Sequence, residues 1–270
     1  MAPFPWIAKV RGEIVAAGRR LEAVAYGPAP AEAPTVLMLH EGLGCVALWR
    51  DFPQEIAAAT GWGVFAYSRA GYGGSDPVDL PRPLDYMSRE ARASLPAVIE
   101  EIGLERGILL GHSDGASIAA IYAGEHSDER IKGLVLMAPH LFTEEPGLVS
   151  IAEARLAYET GDLRAKLAKY HAHVDIAFRG WNDAWLDPGF RAWNIEDRVE
   201  RWRVPALIIQ GVDDQYGTLA QIRSIEARSP SPVKSLILET CRHSPQIDRP
   251  EATLEAVAGF CAELSKAEPR

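Results

Sequence analysis

Short apolar runs alternate with helix-like stretches along most of this chain, which predicts an α/β fold on a mostly parallel, doubly wound sheet of about eight strands. Two further observations sharpen that reading. One apolar run, Gly107-Ile108-Leu109-Leu110, passes through Gly111-His112-Ser113-Asp114-Gly115 directly into Ala116-Ser117-Ile118-Ala119-Ala120-Ile121-Tyr122-Ala123. That is a strand feeding a helix through one tight turn. The alternation then stops between about residues 140 and 203, where helical spacing replaces strands. The chain therefore divides into a core, residues 1–139 and 204–270, and a helical insertion, 140–203, after the sixth strand.

The first elements are two short strands, around Ile7 to Ile14 and Arg20 to Tyr26, with Gly18 at the turn between them. The proline-rich stretch from Gly27 to Pro34 is a surface connection. Val36 to His40 reads as a strand, Leu48 to Thr60 contains a helix, and Val64 to Tyr67 is the next strand. Leu84 to Ile102 reads mainly as one long helix that has to absorb Pro96 through a bend. Ile131 to Met137 is again strand. In the insertion, Leu148 to Thr160 and Asp162 to Ala172 have helical spacing, with Gly161-Asp162 at the corner. A concentration of large rings follows: Phe178, Trp181, Trp185, Phe190 and Trp193. Ala206 to Gln210 and Val233 to Leu238 are the last two strands.

The turn at Ser113 carries the chemistry. A strand that becomes a helix within one residue forces that residue into a strained conformation, and small neighbours such as Gly111 and Gly115 let the backbones approach. The hydroxyl then stands at the positive end of a helix, which suits a nucleophile. A nucleophilic serine needs a base and a group to orient it. Gly211-Val212-Asp213-Asp214 follows one strand, and Glu239-Thr240-Cys241-Arg242-His243-Ser244-Pro245 follows the next. The order is Ser, Asp, His, each just past the C-terminal end of a strand, where loops converge in such a sheet.

With these motifs the chain resembles the α/β-hydrolases of the serine esterase type, from Val36 to Phe260. Leu37-Met38-Leu39-His40-Glu41-Gly42-Leu43-Gly44 is similar to the family's strand followed by H-G-x-G, and Ser68-Arg69-Ala70-Gly71-Tyr72-Gly73-Gly74-Ser75-Asp76 to its D-R-x-G-x-G-x-S loop. The resemblance implies Ser113 as nucleophile, His243 as base and Asp214 as acid, with Asp213 as the rival. It implies an oxyanion hole from the N–H groups of Asp114 and Gly42, with Leu43 as the alternative second donor. His40 would brace that loop, and His112 would be structural. The insertion would be the cap, with Leu43, Trp181 and Trp185 as pocket residues. Three departures stand out: Glu41 in place of glycine, Arg242 in place of the glycine before the base, and Ser68 in place of aspartate.

The implied activity is hydrolysis of a small to medium carboxylic ester or lactone, without metal or organic cofactor. Epoxide hydrolases and haloalkane dehalogenases of the fold use aspartate at the elbow, so Ser113 disfavours both. The alternatives are a carbon–carbon bond hydrolase or enol-lactonase of aromatic degradation, or a slow-turnover ligand receptor. His171-Ala172-His173-Val174-Asp175 looks like part of a metal motif, but the next residue is Ile176 and the region is helical, so a metal site is not expected.

Bulk properties narrow the partners. A net charge of −9 over 270 residues argues against nucleic acid or an anionic membrane. No apolar stretch approaches membrane-spanning length, and no basic leader opens the chain. Cys45, Cys241 and Cys261, odd in number and far apart, read as reduced thiols of a cytoplasmic protein. A small-molecule substrate is the expected partner, and assembly as a homodimer is left open.

Overall fold

The computed structural model describes Phe4, Trp6 and residues 11–267. Among the described residues, eight strands form one sheet: β1 (Arg11–Ala16), β2 (Arg19–Tyr26), β3 (Thr35–Leu39), β4 (Gly63–Tyr67), β5 (Gly107–His112), β6 (Ile131–Met137), β7 (Ala206–Gly211) and β8 (Val233–Leu238). Their order is β1-β2-β4-β3-β5-β6-β7-β8. β1 pairs antiparallel with β2, and β2 with β4, while all other pairs are parallel. Residues 7–10 of the expected first strand lie outside the described residues.

The near-continuous apolar character of the central strands follows from burial on both faces. In β3, Leu37 and Leu39 join one core while Val36 and Met38 join the other. In β5, Leu109 faces the first core, and Ile108 and Leu110 the second. The second core is closed by α1 (Phe52–Thr60) and by a long C-terminal helix through Val257 and Phe260.

The first core is closed by the segment from Tyr86 to Glu101 and by the helix after Ser113. The former is continuous but irregular: α2 (Tyr86–Arg89), a π-helical turn (Glu90–Ser94), then α3 (Leu95–Glu101). The expected bend at Pro96 is thus a widened turn just before it. Proline has no N–H to give and its ring crowds the carbonyl four residues back, and a π turn relieves both. α4 (Asp114–Glu125) follows β5.

Between β6 and β7 lie α5 (Glu145–Thr160), α6 (Leu163–Leu167), α7 (Val174–Leu186), a 3₁₀ turn (Pro188–Ala192) and α8 (Glu196–Val199). The helix expected from Asp162 to Ala172 stops at Leu167. Beyond it the chain is drawn onto the body, where the Ala172 N–H donates to the Gly73 carbonyl at 2.9 Å and the Gly73 N–H donates to His171 Nδ1 at 2.9 Å. α9 (Ala220–Arg228), α10 (Pro245–Asp248) and α11 (Pro250–Ala267) complete the chain. No helix among the described residues is long and apolar enough to cross a membrane.

Candidate active site

Ser113 is the one residue between β5 and α4, with φ 53° and ψ −117°. A side chain at that φ is strained and persists only where the surroundings dictate it. The two flanking glycines show how tightly they do. A Cβ on Gly111 would lie 2.4 Å from the Gly115 carbonyl oxygen, and one on Gly115 would lie 2.1 Å from the carbonyl oxygen of Leu39. The second contact presses the elbow against the end of β3, so the loop from His40 to Gly44 lies beside the serine.

His243, on the loop after β8, places Nδ1 2.8 Å and 2.9 Å from the two carboxylate oxygens of Asp214. A ring held this way donates Nδ1–H to the carboxylate and leaves Nε2 with its lone pair. Asp214 is itself fixed. Its Oδ1 accepts from the N–H of Tyr216 at 2.8 Å, and its Oδ2 from Gln210 Nε2 at 2.8 Å. Burial opposes its charge, but the adjacent imidazole and these donors hold its carboxyl below the ordinary value. Asp213, the rival, is exposed and meets no base.

Ser113 and His243 line one cavity of about 110 Å³ with Glu41, Gly42, Leu43, His140, Ile151, Trp181, Trp185 and Tyr216. The structure therefore brings together every pocket residue singled out from sequence. Trp181 packs against the loop: a Cβ on Gly42 would be 2.3 Å from its indole. Asp114 does not line the cavity through its side chain. Its buried carboxylate accepts from Tyr86 Oη at 2.5 Å and from Trp185 Nε1 at 3.2 Å, with Arg69 Nη2 4.0 Å away. Burial raises this carboxyl, against the pull of Arg69 and the two donors. One side chain thus fastens the elbow to α2 and to α7.

The three departures from the family pattern have structural answers. Ser68 Oγ donates to Glu22 Oε2 at 2.8 Å and accepts the Val46 N–H at 2.9 Å. Arg242 is exposed, and its backbone N–H is bound by Asp248. Glu41 reaches under the elbow to His112, with Oε2 3.5 Å from Nδ1, while His112 Nε2 donates to the His243 carbonyl at 2.7 Å. Burial works against the Glu41 anion, but His112, with His40 behind it, pulls it down to about 2. Burial likewise disfavours the His112 cation, and Glu41 and the His243 carbonyl outweigh it, so its pKa rises.

His40 Nε2 accepts the Arg69 N–H at 3.0 Å and its Nδ1 donates to the Glu41 carbonyl at 2.7 Å, which braces the loop. His171 is a latch: Nδ1 takes the Gly73 N–H and Nε2 donates to the Leu43 carbonyl at 3.0 Å. His173 is exposed. Sequence reasoning missed the Glu41–His112 contact and the places of His140, Ile151 and Tyr216 in the cavity. For His140, its position just past the C-terminal end of β6 was a usable signal.

His140 is 4% exposed, and burial first, then the charge of His243, push its imidazole down to about 3. The unfolded chain takes up that proton near 6.5, the folded protein only near 3. Stability should therefore fall as pH drops through that window, by up to about 1.4 kcal/mol per pH unit from this residue. Urea unfolding of His140→Gln at pH 7 and pH 4.5 should show a shallower loss than the parent; equal losses would contradict the assignment.

A family model described as alpha/beta hydrolase fold matches residues 34–180. The proline iminopeptidase of Lactobacillus delbrueckii subsp. bulgaricus is 26% identical over 226 residues, which cover 70% of this chain and 76% of that protein. Epoxide hydrolase B of Mycobacterium tuberculosis is 32% identical over 120 residues, 44% of this chain and 32% of that one. Among solved structures, a membrane phospholipase A described as a bacterial virulence factor superposes with a TM-score of 0.76 at 19% identity, covering 96% of this chain and 87% of that one. With its eight-stranded sheet and the matched segment spanning more than half its length, the chain belongs to the α/β-hydrolase fold family.

Proposed function

We propose that this hydrolase cleaves a small to medium carboxylic ester or lactone through an acyl-enzyme on Ser113. The observation that carries the reading is the pairing of His243 Nδ1 with both oxygens of Asp214, on the wall of the cavity that Ser113 enters. Held in that tautomer, His243 takes the Ser113 proton as Oγ attacks the substrate carbonyl. The oxyanion is met by the N–H groups of Asp114, at the start of α4, and Gly42. His243 returns the proton to the leaving oxygen. Water then attacks the acyl group, with His243 again as base, and the acid leaves. In a lactone both products stay in one molecule. Every atom comes from substrate and water, so the steps call for no cofactor.

Size supports a small substrate. The cavity of about 110 Å³ opens to solvent, so it has room for one short acyl or alcohol group while the rest of the substrate extends outward. Its roof of Trp181, Trp185 and Ile151 favours an apolar group. The relatives break different bonds, by their names an iminopeptide, an epoxide and a phospholipid ester, so a panel of short p-nitrophenyl esters, lactones, a prolyl anilide and an epoxide tests the reading. Esters or lactones should be turned over best, and Ser113→Ala should lose at least about a thousandfold in kcat. Full activity in that variant, or preference for the anilide or epoxide, would overturn it. A ligand held with negligible turnover would favour the receptor alternative.

The helices between β6 and β7 act in this reading as a cap whose indoles roof the site. Trp181→Ala should change KM and chain-length preference, and should also cost about 3–5 kcal/mol because the ring is buried. Thermal unfolding and kinetics on the same variant separate the two effects. A lower melting temperature with an unchanged substrate profile would confine Trp181 to packing.

A further inference from the structure

Five imidazoles surround the candidate site, and three of them have both nitrogens engaged by the protein. His40 is held by Arg69 and Glu41, His112 by the His243 carbonyl and Glu41, and His171 by Gly73 and Leu43. His243 is held by Asp214 through Nδ1, and in the proposed mechanism its Nε2 takes the Ser113 proton. His140 is the fifth: its hydrogen bonds run through the backbone, and none to its ring is found among the described residues. Its backbone is pinned, with the carbonyl accepting from Ser117 Oγ at 2.7 Å. The ring is fixed too, edge-on to Trp185 at 5.2 Å and tilted over His243 at 5.7 Å. On its far side a Cβ at position 217 would lie 3.1 Å from its Cε1, so Gly217 makes the room it occupies.

A ring on a cavity wall that no protein group hydrogen-bonds is free to bond whatever enters the cavity. This ring is nine-tenths buried and lines the cavity beside Ser113. It offers one N–H and one lone pair. A carboxylate would meet the Glu41 anion on the same wall, and an ammonium, a donor only, could not accept the ring N–H and would face the imidazolium formed at His243 during reaction. A neutral oxygen fits both constraints.

We infer that His140 is a specificity-determining residue that binds a neutral oxygen substituent, hydroxyl or carbonyl, carried by the substrate in addition to its scissile carbonyl. The inference rests on the ester or lactone reading above and names the substrate class within it: hydroxy- or oxo-substituted esters rather than plain alkyl ones. Removing the partner from a site built to hydrogen-bond it lowers transition-state binding, because the protein group is left unpaired.

The test compares kcat/KM for matched pairs: phenyl 3-hydroxybutyrate against phenyl butyrate, and 2-hydroxyethyl butyrate against propyl butyrate. The first pair places the oxygen on the acyl side, the second on the alcohol side. The parent should prefer the hydroxylated member of one pair. His140→Phe, which keeps an aromatic ring there, should cut that ratio about tenfold, and His140→Asn should restore part of it. A parent that shows no preference, or a His140→Phe variant in which both members of a pair fall equally, would overturn the inference. If the parent hydrolyses neither these esters nor the lactones of the panel, the hydrolase reading fails separately. Binding of 3-hydroxybutyramide and butyramide, followed by tryptophan fluorescence, then reads the same ratio: a preference abolished by His140→Phe sustains the role, and equal binding removes it.

Discussion

Ser113 has to leave a strand and enter a helix within one residue, and that constraint organises the site. At φ 53° the residue presents its hydroxyl to the cavity only because Gly111 and Gly115 let β5, α4 and the end of β3 approach within a carbonyl's reach. The same approach brings the His40–Gly44 loop beside the serine and sets the α4 N-terminus under it. The parallel register of β3, β5 and β6 then delivers three loops to one edge, and β7 and β8 add the loops of Asp214 and His243.

Histidines do much of the fastening. An imidazole with both nitrogens engaged joins two segments at fixed spacing: His40 and His171 do so between backbone groups, and His112 between a carbonyl and the Glu41 carboxylate. His112 links the carbonyl of His243 to Glu41 on the neighbouring loop, so the position of His243 depends on a contact made from that loop. Asp114 makes the corresponding link to α7 through Trp185. The elbow, the loop after β3 and the helices over the site are therefore held as one unit. Such preorganisation favours electrostatic stabilisation of a transition state.

What was legible in the sequence was local. The strands from β3 onward, the elbow and the three loops that bring Ser113, Asp214 and His243 together each lie within a short stretch whose spacing has a physical cause. The choice between Asp213 and Asp214 needed geometry, because either aspartate follows β7 closely enough. α6 ended early because His171 and Ala172 bond to Gly73, nearly 100 residues away, and no local pattern reports that. The Glu41–His112 pair was missed for the same reason, because it depends on which distant groups the fold brings within reach. The bend at Pro96 was legible from the proline itself, and only its π form was not.

The central claim is that Ser113 becomes covalently acylated, and active-site-directed labelling reads that step alone. The protein would be treated with a fluorophosphonate, digested and analysed by mass spectrometry, with heat-unfolded protein as control. The account predicts one adduct per chain, on the peptide containing Ser113, formed only in the folded protein and slowed when Asp214 is replaced by asparagine. Labelling spread over several serines, or an unlabelled Ser113 beside active ester turnover, would contradict it.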